Sequence, residues 1–359
     1  MSNIPKNILL SGNEAVARGA WEAGALLGTG YPGTPSSEIL ENLKEYPGLR
    51  AQWCVNEKVA LEVAAGAAWA GARVLVTMKH VGLNVAADPL FTLAYTGIKG
   101  GLVIAVADDP GLHSSQNEQD SRHYARAAKL PMLEPSDSRE AIEMVKLGFS
   151  ISEEFDIPVL LRLTTRISHS RTIVSLGTRE ESEIPIAYLK DQKKQVMIPA
   201  YGRIRHRSLE DRLNRLALYA EDTLLNRVEE GSAEPSIITS GIAYQYCKEV
   251  APDASYLKLG MVYPLPKRTI NNFFRKAEKI NIVEELDPFL ETEIRAMGLE
   301  VIGKRPEYRL GELNTDRVRD IFLGEPESPA VPASIPLRPP VMCAGCPHRG
   351  VFTVLNKMK

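Results

Sequence analysis

Among the residues able to do chemistry, Glu57 holds the most telling position. Asn56 and Glu57 follow a β-prone run at residues 50–55 and open an Ala-rich helix predicted over 58–70. A carboxylate in a first helical turn ordinarily complements the helix macrodipole. This helix, however, carries Ala60, Ala64, Ala65, Gly66, Ala67 and Ala68, small residues that let neighbouring backbone come close. An acid at the mouth of a helix built for tight contact is a candidate for acid–base work.

Other groupings offer chemistry, each beside a plainer alternative. Cys343 and Cys346 with His348 supply three zinc-type ligands without a fourth nearby, or a redox dithiol. Asp108-Asp109-Pro110-Gly111 is able to ligate a metal, although paired Asp before Pro-Gly is ordinary turn chemistry. The polar loop from His113 to Arg122 is either solvated surface or a binding loop, with Arg122 or Arg126 able to fork onto a carboxylate. Gly28, Gly30 and Gly33 spell GxGxxG, but a helix is predicted just before them and Pro32 removes an amide that a pyrophosphate would need. Nicotinamide binding is set aside on that context.

The elements that must position these residues alternate. Strands are predicted at residues 7–10, 29–31, 50–55, 73–78, 101–107, 132–134 and 158–163. Helices are predicted from Gly12-Asn13 to about residue 27, after Thr34 as N-cap with Pro35 in the first turn, at 58–70 and at 138–154. This order implies an α/β fold with a doubly wound parallel sheet, whose ligands gather beyond the carboxyl ends of the strands. Those ends bring Tyr31 to Thr34, Glu57, Lys79 and His80, Asp108 to His113, and Arg162 to Arg166 to one rim. A charged amphipathic helix at 203–222 reads as a solvated connector. A smaller α/β unit then starts at 236–240, with Gly241 and Glu285 at its strand ends and no catalytic constellation.

Length and composition bound the rest. At 359 residues, 44% hydrophobic and 25% charged, the chain is globular and long enough for two domains. A net charge of −2 gives no sign of a nucleic-acid partner. The start is too short of apolar residues for a signal peptide, and no run suits a membrane span, so a cytoplasmic protein is expected. Four cysteines cannot frame a chain of this length, and Cys54 and Cys247 read as buried thiols.

Taken together, YPGTPSSEI, NEKVALEVAAGAAWAG, KHVGLNVAADPL, SSQNEQDSR and CAGCPHRGVF, in that order, resemble the large subunit of indolepyruvate ferredoxin oxidoreductase, a thiamine-diphosphate-dependent 2-oxoacid oxidoreductase. The resemblance implies a pyrimidine-binding domain at 1–178, a connector at 179–234, a transketolase C-terminal-like domain at 235–330 and, at 331–359, the opening of a diphosphate-binding domain. It implies that Glu57 hydrogen-bonds the aminopyrimidine of thiamine diphosphate and thereby promotes proton removal from the reactive carbon. It implies that Thr34 meets the substrate carboxylate, with Arg122 as cationic partner and Gln116 alongside. His80 is read as a proton carrier or ring stacker, and Cys346 as a cofactor contact. The family's substrates and partners follow: an aryl-2-oxoacid oxidised to an acyl-CoA, coenzyme A, ferredoxin and a beta subunit in a hetero-oligomer.

The chain departs from the family pattern in two places. Neither the acidic segment that holds magnesium and diphosphate nor the Cys-rich tail of the iron-sulfur clusters lies in these residues. A fragment or a split subunit is therefore expected, binding the cofactor poorly alone. Two competing readings are another thiamine-diphosphate oxidoreductase or decarboxylase, and an inactive assembly module.

Overall fold

A computed structural model describes residues 7–231, 233–277, 279–324, 342 and 344–358. The strands run in the order β1 (Asn7–Ser11), β2 (Leu27–Gly30), β3 (Arg50–Trp53), β4 (Val74–Lys79), β5 (Leu102–Asp108), β6 (Met132–Leu133), β7 (Val159–Thr164), β8 (Arg171–Ser175), β9 (Arg227–Glu229), β10 (Ala233–Ser240), β11 (Ala254–Leu259), β12 (Met261–Tyr263) and β13 (Ile280–Val283). A seven-stranded sheet has the order β12-β6-β7-β5-β4-β2-β3 and is parallel except for β12. Its central strands β4, β5 and β7 are buried along their whole length, as helices on both faces require. The helices Gly12–Glu22, Ser37–Leu43 and Ser138–Phe155 cover one face, and Glu57–Trp69, Ala87–Thr96 and Pro199–Asp222 the other. The architecture is the doubly wound α/β fold that the alternation implies.

Local chemistry explains the helix that carries Glu57. Ala60, Ala64 and Ala68, spaced by four, are fully buried against the sheet, and Thr29 Oγ1 of β2 donates to Ala60 O at 2.9 Å. Small side chains make that approach possible. Gly66, counted among them from the sequence, instead faces open space.

Several expectations need correction. β1 lies outside the main sheet and pairs antiparallel with β8, a strand with no periodic signal strong enough to be predicted. The first helix ends at Glu22, and β2 runs through the first three GxGxxG letters, Gly28 to Gly30, with no helix opening until Ser37. The space beside Gly28 and Gly30 is filled by Leu43 and Thr77, so those glycines serve packing. The helix after Thr34 begins at Ser37, and its N-cap is Ser36 without a side-chain cap. The connector helix Pro199–Asp222 is not solvated all round: Leu209, Arg212, Leu216 and Ala220 are buried, with Arg212 donating to the carbonyls of Ala94 and Tyr95. Cys247 is buried as expected, whereas Cys54 is half-buried.

A second sheet, β13-β10-β11-β9, is built from three parallel strands and the antiparallel edge β9. Its segment is tied to the first sheet through β12, which pairs with β6, and through a cluster of buried charges. Arg162 of β7 donates to Asp108 at 2.7 Å and Glu134 at 2.5 Å, and Ser240 Oγ at the end of β10 donates to Glu134 at 3.0 Å. Arg122 bonds Asp120, Glu284 and the carbonyls of Glu285 and Asp287. Lys304 donates to the carbonyls of Glu284 and Leu286. Residues up to Glu325 form one compact unit, and Pro326–Lys359 form a second, in which the described residues 342 and 344–358 include the helix His348–Lys357.

Burial pushes the Glu285 carboxyl up from 4.5 to about 7, against the opposing pull of Lys304 and the Leu313 amide. The folded state thus keeps a proton that the unfolded chain releases near pH 4.5, and the stability Glu285 confers falls as pH rises from 4.5 to about 7. Glu285→Gln removes this dependence. Urea unfolding across that window should show the variant gaining about 3 kcal/mol on the parent between its two ends; a difference that stays constant with pH would contradict the assignment.

Candidate cofactor and substrate site

Glu57 reaches the rim through the turn after β3. Asn56 caps its helix, the side chain accepting from Val59 N at 2.8 Å, and so fixes Glu57 as the first helical residue. The Glu57 side chain turns inward, leaving the residue 7% exposed. It lies on Gly82, where a Cβ would come within 2.5 Å of Glu57 Oε1 and 2.7 Å of its Cγ. Gly82 belongs to the short helix His80–Val85 that starts directly after β4. The Glu57 carboxylate makes no hydrogen bond among the described residues, and its oxygens, unlike the rest of the residue, are open to the rim.

His80, at the start of that short helix, is 1% exposed. Its Nε2 lies 3.0 Å from Asn117 O. A carbonyl only accepts, so Nε2 carries the proton and Nδ1 presents a lone pair. Nδ1 is buried and finds no partner among the described residues.

The loop after β5 closes over the same rim. Asp109 organises it, accepting from Ser114 N at 2.9 Å, Ser115 Oγ at 2.6 Å and Thr165 Oγ1 at 2.7 Å. Burial opposes its ionisation, yet these bonds hold its carboxyl below the ordinary value. The turn reading of Asp108-Asp109 thus describes Asp109, while Asp108 joins the buried cluster through Arg162 and Ser121. Ser114 Oγ donates to Thr34 O at 3.1 Å, and Ser114 O accepts from Lys79 Nζ at 3.2 Å. Lys79, the last residue of β4, is 8% exposed, and its stem crosses Gly33, where a Cβ would come within 3.0 Å of Lys79 Cδ. Burial lowers the pKa of its ammonium group, with the charge of Asp109 working the other way.

Thr34 is exposed and lines a cleft of about 490 Å³ together with His113, Ser114, Thr165, Arg166 and Glu312. Arg166 and His113 face Glu312 at 2.7 and 3.3 Å, and His169 faces Glu38 at 3.2 Å. Gln116 is exposed on the loop, with no side-chain hydrogen bond among the described residues. A larger hollow, of about 810 Å³, lies beside β13 and contains none of these residues.

Arg122 requires a correction. It is wholly buried, and its guanidinium is committed to Asp120, Glu284 and the carbonyls of Glu285 and Asp287. Wholly buried and paired with two carboxylates, it is out of reach of a substrate carboxylate and instead holds the two sheets together. Arg126 is no substitute, since it pairs with Glu293 at 2.5 Å. Gly82 carries no mark of its own in the sequence, whereas Lys79 and Ser114 stand on the expected rim and loop without a role that their residue types assign. The only signal for the first two is their place: Lys79 ends a buried strand, and Gly82 lies where a following helix must pass the Glu57 carboxyl.

In the tail unit, Cys346 Sγ lies 3.5 Å from His348 Nδ1. Cys343, its partner in the CxxC spacing, is outside the described residues. Among the described residues no group of three His, Cys, Asp or Glu is arranged to hold a metal, and no helix is long and apolar enough to cross a membrane.

Residues 18–214 match the family described as pyruvate flavodoxin/ferredoxin oxidoreductase, thiamine diphosphate-binding. The chain belongs to this family. Among its relatives, the indolepyruvate oxidoreductase subunit IorA of Archaeoglobus fulgidus is 42% identical over 98% of this chain and 61% of its own length. The same subunit of Methanothermobacter thermautotrophicus is 42% identical over 98% and 60%. The chain therefore spans about three-fifths of the length of these curated relatives. In fold it is similar to the 2-oxoglutarate:ferredoxin oxidoreductase from Magnetococcus marinus, with a TM-score of 0.73 at 17% identity over 89% of this chain and 66% of that one. A split-gene transketolase aligns with a TM-score of 0.53 at 13% identity over 88% of this chain and 98% of that one.

The residues of the thiamine-diphosphate-binding family member fit one half of that cofactor. An unpaired carboxyl open to the rim from a residue only 7% exposed, and a buried imidazole Nδ1 without a partner, suit the polar edge of an aminopyrimidine. Gly82→Ala would push the Glu57 carboxyl aside while favouring its own helix. In the protein completed to its relatives' length, we expect stability within about 1 kcal/mol of the parent and thiamine diphosphate affinity lower by about tenfold or more, the loss of one hydrogen bond to a charged group. Calorimetric titration checks this; unchanged affinity would contradict the packing argument.

Proposed function

We propose that this chain is the pyrimidine-binding part of a 2-oxoacid:ferredoxin oxidoreductase of the indolepyruvate type. The observation that carries the reading is the Glu57 carboxyl, inward, partnerless and pressed on Gly82 at the carboxyl end of the sheet. When bound, thiamine diphosphate supplies a carbon that adds to a 2-oxo group and an electron sink for the pair left by decarboxylation. Glu57 holds a proton at the aminopyrimidine ring nitrogen, so that the exocyclic nitrogen is able to take one up. His80 presents its Nδ1 lone pair beside this edge and ties the loop to it through Asn117. Thr34 opens on the cleft where the carboxylate end of the substrate is received. Cys346 belongs, in this reading, to the cofactor's other half.

The relatives' names favour indolepyruvate, an aryl-2-oxoacid, as substrate and a chain that acts as one subunit of several. Ferredoxin and coenzyme A, named for the family and for the structural neighbour, are proposed as co-substrates, and a beta subunit as the partner completing the hetero-oligomer. Magnesium, the diphosphate half of the cofactor and iron-sulfur clusters are proposed for the whole enzyme and not for the described residues. Glu57→Gln tests the assignment. In the completed complex the variant should unfold at the parent's denaturant midpoint and lose at least about a hundredfold in turnover, the lower range for removing a positioned acid. Retention of parental ferredoxin reduction would sink it.

A further inference from the structure

We infer that Lys79 is the cation that receives the carboxylate of the 2-oxoacid substrate, a deepening that rests on the function proposed above. Lys79 as a residue is 8% exposed at the end of β4 and its ammonium is partly desolvated, yet it makes no ion pair among the described residues. Its hydrogen bond to Ser114 O, at 3.2 Å, is long for a charged donor and leaves two N–H groups unused. Burying an unpaired ammonium is costly, and a chain bears that cost where a ligand of opposite charge completes the site.

Position points the same way. Lys79 immediately precedes His80, and the short helix begun there carries the Gly82 on which Glu57 rests. The Lys79 stem passes over Gly33, next in sequence to Thr34, and Ser114 bridges the two through its carbonyl and its hydroxyl. Lys79, Ser114 and Thr34 therefore form one connected group. The other cations of the neighbourhood are committed: Arg122 and Arg162 to the buried acids, Arg166 and His113 to Glu312, His169 to Glu38. Asp109, the acid whose charge Lys79 feels, already has its carboxylate occupied by Ser114, Ser115 and Thr165. A substrate carboxylate arriving beside Thr34 would supply the missing counter-charge.

A purely mechanical role, bracing the loop through Ser114 O, makes different predictions, and the test separates the two. In the completed enzyme, Lys79→Met and Lys79→Arg are compared with the parent in steady-state kinetics on indolepyruvate. Calorimetric binding of 3-indolepropionate and of its amide is measured on the same proteins. Anchoring predicts that Lys79→Met raises KM about 10- to 100-fold, the loss of a hydrogen bond to a charged group, with kcat changed by no more than about threefold. It also predicts that the parent's preference for the acid over the amide disappears in Lys79→Met and returns at least in part in Lys79→Arg. Parental KM and parental acid preference in Lys79→Met would overturn the inference, as would a loss confined to kcat. If Lys79→Met fails to fold, Lys79→Gln is judged by the same acid-to-amide ratio. A parent without turnover on any 2-oxoacid would defeat the functional reading alone, because the binding ratio still reports on Lys79.

Discussion

The site depends on one close approach, the Glu57 side chain against the backbone of Gly82. The residue is 7% exposed, and its carboxyl, bonded to no other group among the described residues, is turned to the rim. The carboxyl is held by covalent and steric constraints: the Asn56 cap fixes the first turn, the Ala60, Ala64 and Ala68 stripe fixes the helix on the sheet, and Gly82 alone leaves room. Sites of this kind are where a chain gives up local stability for a ligand.

The rim divides its polar groups into two kinds. Toward the second sheet, Arg122, Arg162, Asp120, Glu134, Glu284 and Glu285 are bonded to one another or to backbone, and they position two sheets rather than bind anything. Breaking such a buried pair exposes an uncompensated charge, which is why these residues make poor substrate ligands. Toward the β2, β3 and β4 ends, His80 Nδ1 is buried without a partner, and the charged ends of the largely buried residues Glu57 and Lys79 meet no opposite charge among the described residues. The same side chain types thus serve scaffold on one side and site on the other, and charge pairing tells them apart: Arg162 Nη2 also lacks a hydrogen bond, but it faces Asp120 at 3.6 Å.

That distinction also marks what was legible in the sequence. Strand–helix alternation and the Glu57 joint were readable because local composition and strand ends dictate them: β4, β5 and β7 are continuous apolar runs, and Asn56-Glu57 is a helix start by type. Arg122 was not readable, since its partners Glu284 and Glu285 lie over 160 positions away and only the packing of two sheets brings them together. β12 escaped notice for a similar reason: three residues carry no periodicity, and they pair with β6 from a distant part of the chain. Lys79 and Gly82 stood in plain view within KHVG, but the roles argued for them come from what their neighbours lack.

The most direct test of the account is the structure of the completed protein with thiamine diphosphate bound, read at one distance. The account predicts a Glu57 carboxyl oxygen about 2.6–3.2 Å from a nitrogen of the aminopyrimidine ring, with the ring lying beside Gly82. A ring nitrogen facing solvent or another acid, with Glu57 still unbonded, would contradict it.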